Sequence, residues 1–199
     1  MSERTPLVVL GLGNLLLQDD GIGVAAVERL RQRYEVPEGV SVLDGGTLGL
    51  SLLPYLEAAD AVILVDAVKA DAPAGSFVRL DGEDVPPAVA TRLSPHQVGV
   101  ADLLDGARWL GRYPARVVLL GLVPESLDLA VGLSPDVDAA LPDLVERVAD
   151  EARTLGFHFR RLEAQDSRLR ALQGEGRLAS RPDGPLDAVD PHPYVGRTL

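Results

Sequence analysis

The chain has 199 residues, 46% hydrophobic and 25% charged, enough to bury one substantial core. Its 30 acidic residues against 19 basic ones give a formal net charge of −11, which leaves no positive surplus to displace counterions from a phosphate backbone and argues against a general nucleic-acid binder. With no cysteine there are no disulfides, thiolate nucleophiles, iron–sulfur clusters or thiolate zinc sites, so His and carboxylates are the only strong metal ligands.

Residues 7–10 are a short apolar run that ends in Gly11 and Gly13. Residues 21–34 then place Ile22, Val24, Val27, Leu30 and Tyr34 near helical spacing, which predicts a strand, a glycine turn and a helix. A second short strand over 40–43 ends at Asp44, and Leu48, Leu52, Leu53 and Leu56 predict a helix over 48–59. Residues 61–65 form a fully apolar run that stops at Asp66 and reads as a buried strand. Residues 76–80 read as a short strand at an edge, after which Pro86 and Pro87 break the chain. Ser94–Pro95 and Ser134–Pro135 each carry the cap and first-turn signature of a helix, on either side of a buried strand over 117–122. Strands alternating with helices predict an α/β three-layer sandwich: a twisted, mostly parallel sheet with helices on both faces.

This pattern ends near Gly156, so residues 1–156 are expected to form one α/β domain. Residues 157–199 hold seven arginines against six acids and become rich in Pro, Gly and Asp; a short helix over 162–172 and then a disordered tail are expected there. No segment reaches the roughly 18–20 apolar residues of a bilayer span, and no apolar signal core follows the N-terminus. A soluble, cytoplasmic protein without a membrane partner is expected.

His96 is the one histidine before residue 157, and after Ser94–Pro95 it falls in the first turn of a helix, where the positive end disfavours protonation. A lone core histidine is more often a structural hydrogen-bonding residue, but a neutral imidazole is also what a metal or a proton acceptor requires. Asp66 ends a buried strand and Asp20 lies in the loop after the first strand, both at the edge where open α/β sheets bind ligands. Two carboxylates and one imidazole suit nickel or zinc in an open site, although each aspartate alone also fits a loop-tying role. Gly45, Gly46 and Thr47 after Asp44 fit a tight turn, and equally fit close approach by an extended peptide.

Gly11-Leu12-Gly13-Asn14, Asp19-Asp20-Gly21-Ile22-Gly23, Asp44-Gly45-Gly46-Thr47, Asp66-Ala67 and Ser94-Pro95-His96-Gln97 occur in that order. Together with the run from Gly121 to Ser126 and with Gly132-Leu133-Ser134-Pro135, they resemble the hydrogenase maturation endopeptidases over about residues 7–155. The resemblance implies an endopeptidase that removes the C-terminal extension from the precursor of the nickel–iron hydrogenase large subunit after nickel insertion. It further implies that Asp20, Asp66 and His96 contact the metal and carry the catalysis, with Asp20 where some relatives have glutamate. Asp44, Gly45, Gly46 and Thr47 would belong to the substrate-recognition edge. Nickel would arrive in the substrate, with no resident organic cofactor.

Three other readings remain open at this point. A nickel-dependent checkpoint or chaperone would bind the same precursor through the same ligands without cutting it. A nucleotide-binding α/β protein is favoured by Gly11, Gly13 and Asp44, and opposed by Leu16 in the third glycine position and by two aspartates facing a pyrophosphate. A peptidase with resident zinc is the third.

Overall fold

The computed structural model describes residues 5–85 and 98–163. In chain order these form β1 (Thr5–Leu12), a 3-10 turn (Gln18–Gly21), α1 (Ile22–Arg33), β2 (Tyr34–Glu35) and β3 (Val40–Gly46). A second 3-10 turn (Gly49–Leu52) leads into α2 (Leu53–Ala58), β4 (Ala59–Ala67) and β5 (Phe77–Asp81), which a third 3-10 turn (Gly82–Asp84) follows. Then come α3 (Val98–Trp109), β6 (Arg116–Leu122), α4 (Pro135–Thr154) and β7 (Arg160–Arg161).

Five strands form one sheet in the order β3-β1-β4-β6-β5, parallel except for β5, which runs antiparallel along β6. The strands alternate residue by residue between two apolar layers. Leu7 and Val9 of β1, Ile63 and Val65 of β4, and Val118 and Leu120 of β6 pack with Val27 and Leu30 of α1 and Leu144 and Val148 of α4. Their neighbours Val8, Leu10, Val62, Leu64, Val117 and Leu119 pack on the opposite face with Leu56 of α2 and Leu103 and Leu104 of α3. A strand that is apolar at every position is stable only when both faces are covered, and each fully buried aliphatic side chain contributes about 1.5–3 kcal/mol. The three-layer α/β architecture expected from the sequence is the one observed.

From β1 the chain passes to β3 on one side and only later to β4 on the other. The carboxyl ends of β1 and β4 therefore flank a topological switch point, where sheets of this kind open a crevice.

One expected helix differs, and a second falls almost wholly outside the described residues. In place of a helix over 48–59, a 3-10 turn precedes α2, and Leu48 is exposed instead of facing the core. Gly46 and Gly49 hold φ of 43° and 52°, left-handed values that interrupt a helix, and Pro54, which lacks an N–H, fits only the first turn of one. Helix formation thus waits for Leu53. At the other end, Leu162 is not helical; its amide donates to the Arg33 carbonyl, and the rest of the helix expected over 162–172 lies outside the described residues.

Residues 157–163 stay on the body. Phe157 and Phe159 pack against the α1–α4 layer, and β7 pairs antiparallel with β2. The rings of Tyr34 and Phe159 meet edge to face with centroids 6.2 Å apart, while Arg160 pairs with Glu35 and Arg161 with Glu146. At the sheet edge, Arg79 of β5 forks onto Glu151 of α4 at 2.8 and 3.0 Å, and Asp81 binds Arg79 and Arg116. Charge at that edge discourages pairing with a further strand.

Candidate active site

The loop after β1 folds back at once, because Asn14 accepts the Leu16 amide on Oδ1 and the Leu17 amide on its carbonyl. It then enters the Gln18–Gly21 turn, with Gln18 at φ 46°, a left-handed conformation uncommon outside glycine. Gly13 is needed here, since a Cβ would lie 1.7 Å from the Asp20 carbonyl oxygen. The turn delivers two fully buried aspartates in succession.

Their surroundings are opposite. Asp19 Oδ2 accepts the amides of Glu125 at 2.9 Å and Ser126 at 3.1 Å and the Ser134 hydroxyl at 2.8 Å, while Oδ1 accepts the Ser134 amide at 2.7 Å. Four donors saturate this carboxylate, which ties the β1 loop to the β6 loop and to the start of α4. Ser134 is the N-cap residue of α4, as the sequence predicts, but its hydroxyl serves Asp19 in place of the helix. Asp20 Oδ2 accepts the Asn14 amide at 2.9 Å, whereas Oδ1 is buried with no hydrogen-bond partner among the described residues. The nearby N-terminus of α1 favours negative charge. It does not supply the missing donor. A buried, unpartnered carboxylate oxygen is costly and suits an incoming cation or proton donor.

Asp66 is the penultimate residue of β4 and is buried; its Oδ1 accepts the amide of Ala67 at 2.8 Å. The turn bearing Asp20 packs on β4, and Gly23 at the start of α1 lies so close that a Cβ would meet the Val65 carbonyl at 2.0 Å. On the other side of Asp66, Gly121 of β6 is its register partner, with room for no side chain beside the Asp66 carbonyl at 2.2 Å. Asp20 and Asp66 thus share the switch-point corner. His96 and the Ser94–Pro95 pair before it lie outside the described residues. Among those described, no three His, Asp or Glu side chains gather closely enough to hold a metal ion.

Asp44 and Thr47 are exposed at the end of edge strand β3, with β1 between them and β4. The half-buried Arg31 guanidinium sits near Asp44 and donates to the Val42 carbonyl; desolvation lowers its pKa, opposed by the Asp44 and Glu28 charges. Gly45 is buried against Leu10 and Leu52, and the Gly46 carbonyl accepts the Gly13 amide at 3.0 Å. Gly45 and Gly46 therefore fasten the edge, while Asp44 and Thr47 face out from it.

The hydrogenase maturation protease family model matches residues 24–151. The hydrogenase 2 maturation protease of Escherichia coli is 43% identical over 152 residues, covering 75% of this chain and 92% of that protein. The chain belongs to the hydrogenase maturation protease family. A solved family structure, the hydrogenase maturating endopeptidase HybD from E. coli, superposes with a TM-score of 0.75 at 40% identity, over 78% of this chain and 97% of that one. The HoxM hydrogenase expression/formation protein of Azotobacter vinelandii is 38% identical over 190 residues, 95% of this chain and 83% of that protein. The likeness to that relative therefore extends into residues after 163, beyond the range legible from the motifs.

This maturation protease is a peptidase hydrolase, and its glycine-rich turn is not used as in a dinucleotide site. The Asn14 amide, which such a turn would offer to a pyrophosphate, is occupied by Asp20, and Gly13 and Gly23 are consumed by backbone packing. Sequence reasoning missed the linking role of Asp19. Its partners lie 106 to 115 residues away, and the only local signal was an aspartate doublet of which one member was expected at the crevice.

Proposed function

We propose that this protease removes the C-terminal extension from the precursor of a nickel–iron hydrogenase large subunit after nickel insertion, and that nickel reaches the site as part of that substrate. The observation that carries the reading is Asp20 Oδ1: a buried carboxylate oxygen without a partner among the described residues, at the corner it shares with Asp66. Asp20, Asp66 and His96 complete the coordination of the substrate's nickel, which orients the scissile bond and polarises its carbonyl. A water then adds to the carbonyl carbon as the C–N bond breaks, and the aspartates pass its proton to the leaving amine. Asp44, Gly45, Gly46 and Thr47 line the edge along which the extension lies, and the reaction takes place in the cytoplasm.

The test is incubation of purified precursor, with and without nickel loaded, followed by mass spectrometry. Loss of a C-terminal fragment only from the nickel-loaded sample is expected. Binding without cleavage would replace this reading with a non-cleaving checkpoint, cleavage irrespective of nickel would remove the metal's part in recognition, and stoichiometric zinc in the purified protein would point to a resident metal.

A further inference from the structure

Eight large apolar side chains are exposed among the described residues, and six of them stand on three loops at one edge of the sheet. Leu15 and Leu16 follow β1, Leu48 and Leu50 follow β3, and Leu129 and Val131 follow β6. These loops are joined to one another. The Gly13 amide donates to the Gly46 carbonyl at 3.0 Å, linking the first to the second. Ala130 donates to the Leu16 carbonyl at 3.1 Å and accepts the Gln18 amide at 3.0 Å, linking the first to the third.

The apolar side chains are held outward by this backbone. Leu15 and Leu16 occupy the turn fixed by Asn14, and Leu48 follows a turn closed by its own amide on the Gly45 carbonyl. Leu129 and Val131 flank bridged Ala130, so both leave the chain on the side opposite to it, 82% and 85% exposed. The three stretches 14–18, 47–52 and 129–133 contain no charged residue, in a chain whose net charge is −11. Apolar side chains held out on loops that are joined through their backbones, with exposed Asp44 and Asp128 only at the margins, mark a contact surface on an otherwise acidic protein.

We infer that this rim is the docking surface for the folded part of the protease's polypeptide substrate, through an apolar, uncharged patch beside its scissile segment. The inference rests on the proposed peptidase site and names what holds the substrate there. The rim lies on loops that leave the same end of the sheet as the Asp20–Asp66 corner, so a protein presenting a peptide bond to that corner is brought alongside it. Because the six rim side chains are apolar and the acids stand only at its margins, docking gains mainly by desolvation and depends less on salt than docking steered by the chain's negative charge.

Binding of purified nickel-loaded precursor to the full-length protein, measured by biolayer interferometry at 50 and 500 mM salt, tests this. The double variant Leu129→Ser/Val131→Ser, and separately Leu15→Ser/Leu16→Ser, should each weaken Kd at least about tenfold at both salt concentrations, with an unchanged melting temperature. Trp109→Ser, an exposed apolar residue at the end of α3 away from these loops, should leave Kd unchanged. In cleavage assays the loss should appear in KM and not in kcat. Unchanged Kd in both rim variants overturns the inference, as does a Kd for the wild type that weakens steeply with salt. If the wild type cuts the precursor and the rim variants bind normally, the rim fails and the peptidase reading stands; if rim-dependent binding occurs without cleavage, the reverse holds. Absence of any binding defeats both.

Discussion

Asparagine at position 19 and asparagine at position 20 should shift stability in opposite directions, although the two substitutions are chemically identical and adjacent. At Asp19 both oxygens accept, and the amide that would replace Oδ1 points a donor at the Ser134 N–H, 2.7 Å away. Turning the amide over is worse, because Oδ2 serves the amides of Glu125 and Ser126 and the Ser134 hydroxyl. The better orientation forfeits one hydrogen bond to a charged group, about 1.5–3 kcal/mol, and leaves buried donors unmatched, about 1–3 kcal/mol more. Asp19→Asn should therefore cost about 3–5 kcal/mol, a fall in melting temperature of about 6–20 °C for a chain of this length. At Asp20 the Asn14 bond to Oδ2 survives, and the replaced oxygen had no partner among the described residues. Removing the desolvated negative charge relieves more than is lost in the weakened Asn14 bond and in the new amide N–H groups that find no acceptor among the described residues, so Asp20→Asn should gain up to about 1 kcal/mol, or up to about 2–4 °C. Differential scanning calorimetry on both variants, alongside precursor cleavage, measures the pair. Cleavage should be lost in Asp20→Asn even though it melts higher. A fall in Asp20→Asn as deep as that in Asp19→Asn would refute the reasoning, since it would mean that Oδ1 has a partner in the folded protein.

Three further outcomes are expected. Asp66→Ala and His96→Ala should each abolish processing while retaining cooperative unfolding by circular dichroism; loss of folding in both would overturn their assignment to the site. Tyr34, buried and hydrogen-bonded to Glu146 at 2.6 Å, has its pKa raised from 10 to about 12, first by burial and then by Glu146. The fold holds the phenol proton more tightly than the unfolded chain does, so this contribution is complete below pH 10 and fades between pH 10 and 12. Urea midpoints across that range should therefore fall less steeply in Tyr34→Phe than in the wild type, and equal slopes would count against the assignment. Truncation after Glu163 should leave the melting temperature near that of the full chain, whereas truncation after Gly156 should lower it by several degrees, because only the latter removes Phe157, Phe159 and the β2–β7 pair; identical melting curves would place the domain boundary at residue 156.

How much of this was legible in the sequence depended on range. The apolar runs at 7–10, 61–65 and 117–122 announced strands buried on both faces, and the structure divides their side chains between two layers at alternate residues. The corner shared by Asp20 and Asp66 followed from topology, because each aspartate closes or follows a strand beside the switch point. The helix expected over 48–59 failed on a local conflict: leucines at helical spacing competed with left-handed Gly46 and Gly49 and with Pro54, and the backbone prevailed. Leu48 consequently turned outward, a change that periodicity could not register. Pairing of Tyr34–Glu35 with Arg160–Arg161, and of Asp19 with Ser134, joins residues more than a hundred positions apart, where no local pattern carries information.

The aspartate doublet also explains how a site can keep an oxygen that no described residue satisfies. Left to relax, a loop carrying a buried carboxylate would turn it toward a donor or into water. The Asp20 loop is denied that freedom on both sides: Asn14 holds Oδ2, and Asp19, one residue earlier, is bound by four donors from the β6 loop and the start of α4. Stability gained at Asp19 offsets the strain kept at Asp20, which is the pattern expected where local consistency is given up for function. On the proposed reading, the free energy of Oδ1 falls only when a substrate brings a cation to it. A precursor without nickel gains nothing there, however well its surface fits the protease. Selection of the metal-loaded form then follows from rigidity at Asp19 as much as from the ligands themselves, and loosening that anchor should blur the distinction between loaded and unloaded precursor before it abolishes cleavage.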